Sequence, residues 1–434
     1  MKNIFRVIGF GLAIVAFSAV NSFAQNPCDD TYEVKTAEFE KYKANVKTPR
    51  TVEKLKIALD VGNAYVTKYK DCEDTKDVVE HLNKNLPVFQ KEYDRLDRNG
   101  RFNKSVLAKN WAEAFTAGKQ IIAAEADKPV SLDVALVLAS IGFDRAARDK
   151  VDTYNNDTLA MAELAIKKME AGIISEKYGA FDIYVYKTKD FSDGKQNALG
   201  WMNYTIGYIK YIRQKNTKDA LPYLYSAVTK YNSATKNFPE IYEMMAVYYK
   251  DELIKLDKTR QEKIAANENK DNDETLAMWA LERGYIERAI DAYSRAHKIV
   301  AAKAKTPQEI ENKNRIYGEM QSLYESSFKK KDGLDPYLAT LMSKPLNDPA
   351  TAVTPIKEEV PAATTTTTSS TTTTNPTTTT TTKPTTTTTT TTKPTTTTTN
   401  PTTTTKPTTT TKPNSSTTKP TTTKPKTTRK RITR

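Results

Sequence analysis

Between residues 29 and 345 apolar side chains recur three and four positions apart, the spacing that lines one face of an α-helix. Leu55, Leu59, Gly62, Val66 and Tyr69 make one such stripe. Ala112, Phe115, Ile122 and Ala126 make a second, and Leu276, Trp279, Ala280 and Gly284 a third. Strand-like patterning is nearly absent, and Phe181–Tyr186 is the one stretch suited to an extended chain. Breaks are expected at Pro87, Asn99–Gly100, Pro129, Asp193–Gly194, Pro239 and Gly333. About a dozen helices of moderate length, joined by short turns, fit this stretch. The fold class predicted for residues 25–350 is therefore all-α.

A shorter spacing recurs within the stripes: a small residue, a large one four positions on, and an alanine three beyond that. It occurs at Ala117, Ile121 and Ala124, at Ala220, Leu224 and Ala227, and at Ala289, Tyr293 and Ala296. The last two copies start 69 residues apart, close to two units of about 34. Small residues let one helix approach another closely, and the large residue fills the space above them. A helix pair built this way leaves an apolar face that only the next pair covers.

In these positions the chain resembles the tetratricopeptide repeat family, whose first helix reads W-x2-L-G-x2-Y and whose second carries A-x3-F and a further alanine. Trp201, Tyr204 and Tyr208 stand at first-helix spacing, with Ala220, Leu224 and Ala227 following after a slightly long turn. Leu276, Ala277 and Gly284 suit another first helix, with Ala289, Tyr293 and Ala296 in its second. Leu138, Ile141 and Gly142 suit a third, and Ala117, Ile121 and Ala124 precede Pro129 as a second helix would. The matches cover about a third of the body and depart from the motif elsewhere. The resemblance implies a stack of helix pairs with a groove that binds peptides or proteins; the alternative is an ordinary helical bundle with alanine-rich seams. It implies no chemistry.

The two ends change the picture. Lys2 and Arg6 precede an apolar run from Val7 to Val20 and then Ser22-Phe23-Ala24. That order of charge, apolar core and small residues predicts a secretory signal peptide over residues 1–24. Export permits a disulfide, and Cys28 and Cys72 are the chain's two cysteines. From Thr351 to Arg434 the sequence becomes threonine runs broken by Lys-Pro and Asn-Pro. With almost no apolar side chains to bury, this stretch is expected to be a disordered, extended stalk reaching at most ~260 Å. Proline within serine- and threonine-rich sequence also suits O-glycosylation.

Charge separates along the same line. The net charge is +14, yet residues 25–350 hold 52 basic and 50 acidic side chains, whereas residues 351–434 hold 12 and 2. A basic tail of this kind suits an anionic envelope polymer or surface, or a spacer kept soluble by self-repulsion. It lacks aromatic residues to stack on bases, so a nucleic-acid partner is not expected.

Candidate chemistry is sparse. His81 and His297 are the only histidines, too few for a zinc site and both expected on solvent-facing helix surfaces. No glycine-rich phosphate loop occurs. No catalytic residue, cofactor or metal site is assigned, although an unrecognised carboxylate enzyme stays open. Tyrosines are the better lead: Tyr223, Tyr225, Tyr248 and Tyr249 could line a groove for an extended peptide or stack on sugar rings. The expected function is an exported, non-enzymatic scaffold or adaptor in the periplasm, at the cell surface or in the medium. Its body would bind a protein or peptide, and its tail would space or attach it. A glycan- or cell-wall-binding surface protein is the alternative.

Overall fold

A computed structural model describes residues 26–357. The expected signal peptide and the tail beyond Lys357 lie outside the described residues. Among those residues the chain forms twelve α-helices and one two-stranded hairpin, so the body is all-α.

The first three helices are α1 (Tyr32–Val46), α2 (Val52–Tyr69) and α3 (Lys76–Leu107). Thr51 starts α2 by accepting a hydrogen bond from the Lys54 amide. Tyr42, Leu55, Leu59, Tyr65, Tyr69, Leu82, Leu86 and Phe89 pack into a small core. Cys28 and Cys72 are disulfide-bonded, with Cα atoms 5.3 Å apart. Nearby, the buried Lys35 ammonium donates to the Cys28 carbonyl at 2.7 Å and to Asp74 at 2.8 Å, and Tyr69 Oη donates to Asp30 at 2.7 Å. The start of the described chain is thus fastened to the end of α2 and the turn after it by the disulfide, by the bonds of Asp30 to Tyr69 and Lys68, and through Lys35, which bridges Cys28 and Asp74.

α3 runs unbroken through both Pro87 and Asn99–Gly100, which overturns two expected breaks. Pro87 cannot donate to the Asn83 carbonyl, but both residues are exposed, so water can take that oxygen. Gly100 is exposed with open space around it, so it costs helix propensity and nothing more. The first half of α3 buries Leu82, Leu86 and Phe89 in the small core. Its last turns bury Phe102 and Val106 in a second, larger one. No residue between Phe89 and Phe102 is buried, so α3 is a bridge joining two cores.

The larger core begins with α4 (Trp111–Ala124), α5 (Pro129–Ala147) and α6 (Asn155–Glu170). Pro129 opens α5 at the position where its missing amide costs nothing. α5 is apolar on most sides and correspondingly buried, from Leu132 through Ile141. Gly142 lets α6 come close: a Cβ there would fall 1.6 Å from Thr158 Oγ1. Phe181–Tyr186 is only partly extended. β1 (Gly179–Ala180) pairs antiparallel with β2 (Tyr184–Val185), and Phe181 and Asp182 turn between them at positive φ. Asp133 ties this hairpin to α5 by accepting from Ser175 Oγ and the Gly179 amide.

Then come α7 (Gly194–Tyr208), α8 (Thr217–Thr229), α9 (Pro239–Ala266) and α10 (Asp273–Ala301), followed by α11 (Pro307–Phe328) and α12 (Leu334–Met342). Asp193 caps α7, Pro239 opens α9 and Gly333, at φ 103°, precedes α12. Capping boxes at Asn272–Thr275 and Thr306–Glu309 start α10 and α11. Most helices lie chiefly against their neighbours in sequence; α12 instead lies against α10, and α5 also touches α7.

The repeat-like residues follow the expected pairing in part. Trp201, Tyr204, Ala220, Leu224 and Ala227 are buried on the packed pair α7–α8, with Tyr208 half-buried. Ala117 and Ile121 are buried on α4, but Ala124 is exposed at its C-terminal end. Leu276 through Ala296 correct the expectation of two helices, because α10 carries all of them without a turn. Gly284 does not break it, since its φ is not in the left-handed region and its face is covered by other chain. That chain is Val353–Thr354. The packed body therefore continues past the expected boundary at residue 351.

Candidate peptide-binding groove

After α12 the chain crosses back over the body as an extended strap, Leu346–Ile356, between α8 and α10. Leu346 is buried, and its carbonyl lies 3.5 Å from Tyr225 Oη on α8. Asp348 then accepts from the Ala350 amide through its side chain and from Thr351 through its carbonyl. This tight turn around Pro349 aims three oxygens at one side chain.

That side chain is Arg288, 6% exposed on α10. Its guanidinium donates to the Asp348 carbonyl at 3.3 Å, Thr351 Oγ1 at 2.9 Å and the Ala352 carbonyl at 2.7 Å. Each is a charge-assisted bond to a neutral oxygen, stronger than a neutral pair. One turn back along α10, Gly284 receives the strap backbone. A Cβ there would meet the Thr354 carbonyl oxygen at 2.3 Å and Val353 Cγ1 at 2.8 Å, so only glycine allows the approach. One turn further back, the Ala280 carbonyl accepts from the Ile356 amide at 2.8 Å. Arg288, Gly284 and Ala280 are four apart and share one helix face. The strap runs along that face toward the start of α10.

Most of the strap's polar bonds to α10 are made by its backbone. Thr351, Ala352, Thr354 and Pro355 are exposed, whereas Val353 and Ile356 are half-buried. Beside the strap lies a cleft of about 530 Å³ lined by Pro222, Tyr225, Ser226, Thr229, Asp348 and Ala350.

The four tyrosines singled out in the sequence do not line one wall. Tyr249 is buried, with the Arg288 guanidinium 5.7 Å from its ring centroid. Burial raises its pKa and the cation beside it pulls the other way. Tyr248 and Tyr285 pack edge-on and tilted against Tyr249. Tyr225 reaches the strap, while Tyr223 stands with Lys210 over its ring. Tyr249 and Tyr225 thus belong to the groove, and Tyr223 does not.

Two buried carboxylates near the groove are paired with arginines. Asp291, 1% exposed, meets Arg295 at 3.0 Å, and burial raises its pKa despite that partner. Arg260 on α9 meets Glu282 on α10 at 2.7 Å, with Glu282 1% exposed, and stacks over Trp279. Burial likewise raises the Glu282 pKa. His297 is half-buried beside Tyr317, not solvent-facing, and burial lowers its pKa. His81 is exposed and edge-on to Phe39 and Tyr42. Among the described residues no three His, Cys, Asp or Glu side chains are placed to hold a metal ion, and no helix is long and apolar enough to cross a membrane. A second cleft, between α3 and α4, is lined by Asp94, Asp97, Arg98, Arg101 and Gln120. Arg101 is already bonded there to Asp97, Glu113 and Gln120.

Sequence reasoning did not find Arg288 or the strap. The available signal was weak: three apolar residues, Leu346, Val353 and Ile356, inside a threonine- and proline-rich stretch.

No protein-family model matches the chain, and no curated protein or solved structure matches it either.

Proposed function

We propose that this chain is an exported, non-enzymatic binding scaffold. Its helix pairs stack in the manner of a tetratricopeptide-like array, and the α8–α10 groove receives an extended segment of a protein partner. One observation carries this reading: the groove already holds an extended segment, and holds it through backbone oxygens. Arg288 and the Ala280 carbonyl engage groups that any peptide offers, a mode in which main-chain bonds supply affinity and shallow pockets supply choice. Packing of helices largely in sequence order supports the array from α4 onward. The scattered positions of Tyr223, Tyr225, Tyr248 and Tyr249 favour peptide over sugar, which needs a shared exposed ring face.

Selection of a random extended-peptide library on the full chain tests the proposal. Enriched peptides should lose retention on an Arg288→Ala chain that keeps its helical content. Enrichment that is equal on both chains would remove the groove from the function.

A further inference from the structure

The strap segment that lies on α10 reads Thr351-Ala352-Val353-Thr354-Pro355. Its threonine and proline stand four positions apart, and the same frame recurs down the tail. Thr372-Thr373-Thr374-Asn375-Pro376, Thr380-Thr381-Thr382-Lys383-Pro384 and Thr390-Thr391-Thr392-Lys393-Pro394 all have it, and further copies end at Pro401, Pro407, Pro413 and Pro425.

Within the frame, no substitution between strap and tail removes a group that bonds Arg288. Thr351, whose Oγ1 accepts from Arg288, is threonine in every one of these copies. The Ala352 side chain is exposed, so threonine fits there. Val353, half-buried against Gly284, is replaced by threonine, whose similar shape fits the space but whose hydroxyl costs some desolvation and weakens the contact. The Thr354 side chain is exposed, and lysine or asparagine in its place extends into water. The bonds to Arg288 and Gly284 otherwise involve backbone, which sequence does not alter. What the tail copies lack is the apolar anchoring, Leu346 before the frame and Ile356 after it, where the tail has threonine in most copies, and the Asp348-Pro349 turn, which only Asn400-Pro401 matches, before the copy ending at Pro407.

We propose that the Arg288–Gly284 groove is a receptor for the Thr-Thr-Thr-(Lys/Asn)-Pro frames of a second copy of this chain. The chain's own strap is the favoured occupant, and the tail frames are weaker competitors present many times over. Release of the strap lets one copy's tail thread the grooves of others, so the tail acts as a multivalent ligand for its own body. This rests on the proposed function, in which the groove accepts an extended peptide, and names that peptide.

The test uses full-length chain and a fluorescent synthetic peptide spanning Thr377–Pro394, followed by anisotropy. A Leu346→Ala/Ile356→Ala chain has a loosened strap and an intact groove. It should bind the peptide on the order of tenfold more tightly than the unaltered chain, because the open groove is populated more often. Sedimentation of that variant should show multimers growing with concentration. Adding Gly284→Ala should abolish both effects, since the new Cβ occupies the position of the peptide carbonyl. Alanine strengthens the helix there, so lost binding would not mean lost folding; circular dichroism checks this. A peptide with Thr380→Ala and Thr390→Ala should bind less well. Peptide affinity that is unchanged in the loosened chain, or unaffected by Gly284→Ala, would overturn the proposal. If library-selected peptides bind the loosened chain through Arg288 and the tail peptide does not, self-recognition fails and the scaffold reading stands. If neither binds, the groove reading fails with it.

Discussion

Reduction of the Cys28–Cys72 bond should melt one part of the molecule and spare the rest. The bond closes a loop of 45 residues, counting both cysteines. In the chain-entropy model such a crosslink removes about 4 kcal/mol of conformational freedom from the unfolded chain. The Lys35 and Tyr69 bonds at the same place do not substitute for it, because they exist only in the folded state. How far this lowers the melting temperature depends on how many residues unfold together. The small core of α1, α2 and the first half of α3 involves roughly 70 residues, with an unfolding entropy of about 0.15 kcal/mol/K. Melting alone, it would lose about 25 °C. If all of the described residues unfolded as one unit, the same 4 kcal/mol would cost only about 6 °C. Between Phe89 and Phe102, α3 packs only the half-buried Tyr93 and Leu96 against the small core and no apolar residue against the larger one, so the first outcome is expected. Calorimetry with and without reductant, with hydrogen exchange assigning the transitions, measures it. A single transition shifted by about 6 °C would refute the independence of the two cores. No shift at all would refute the loop-entropy argument.

Three further outcomes are expected. Gly142→Ala should destabilise the larger core by about 3 kcal/mol, because the added methyl overlaps Thr158 Oγ1; Gly142→Ala/Thr158→Ala should recover much of this in urea unfolding, and a harmless single variant would mean α5 and α6 are further apart. Arg260→Ala should cost about 3 kcal/mol at neutral pH by leaving Glu282 buried without its partner, and less near pH 4, where Glu282 can take a proton; an equal cost at both would show that lost stacking on Trp279 dominates. Asp291 binds its proton more tightly folded than unfolded, so its contribution is fully present below the usual aspartate range and declines as pH rises through the raised value, with a slope of at most about 1.4 kcal/mol per pH unit. Asp291→Asn should remove that decline in urea titrations between pH 4 and 7, and parallel curves would show that burial does not govern this carboxylate.

The all-α class was legible because periodic apolar stripes have one economical solution. Pro129, Asp193–Gly194, Pro239 and Gly333 were readable as boundaries because each sits at a helix start, where a missing amide, a capping oxygen or a left-handed backbone is useful. Pro87, Gly100 and Gly284 carry the same letters and mean different things. Pro87 and Gly100 are tolerated because the surface absorbs their cost, and Gly284 because another backbone needs its empty space. Letter-by-letter reading cannot separate these uses, since each is decided by what packs opposite. Arg288 was invisible for the same reason. A lone arginine on a helix reads as solvated until a segment 60 residues further on supplies three oxygens. The tyrosines misled in the other direction: Tyr223 and Tyr225 are two apart on α8 and so face different neighbours.

The direction of the strap has a mechanical consequence. From Arg288 it runs along α10 toward that helix's first turn, and its attachments at Arg288, Gly284 and Ala280 lie in a row. A tension applied to the following chain along that line stretches all of the attachments at once, whereas a pull away from the helix surface would peel them one after another. The same joint is therefore strong in shear and weak in peeling, and the angle of a tether decides whether the groove opens.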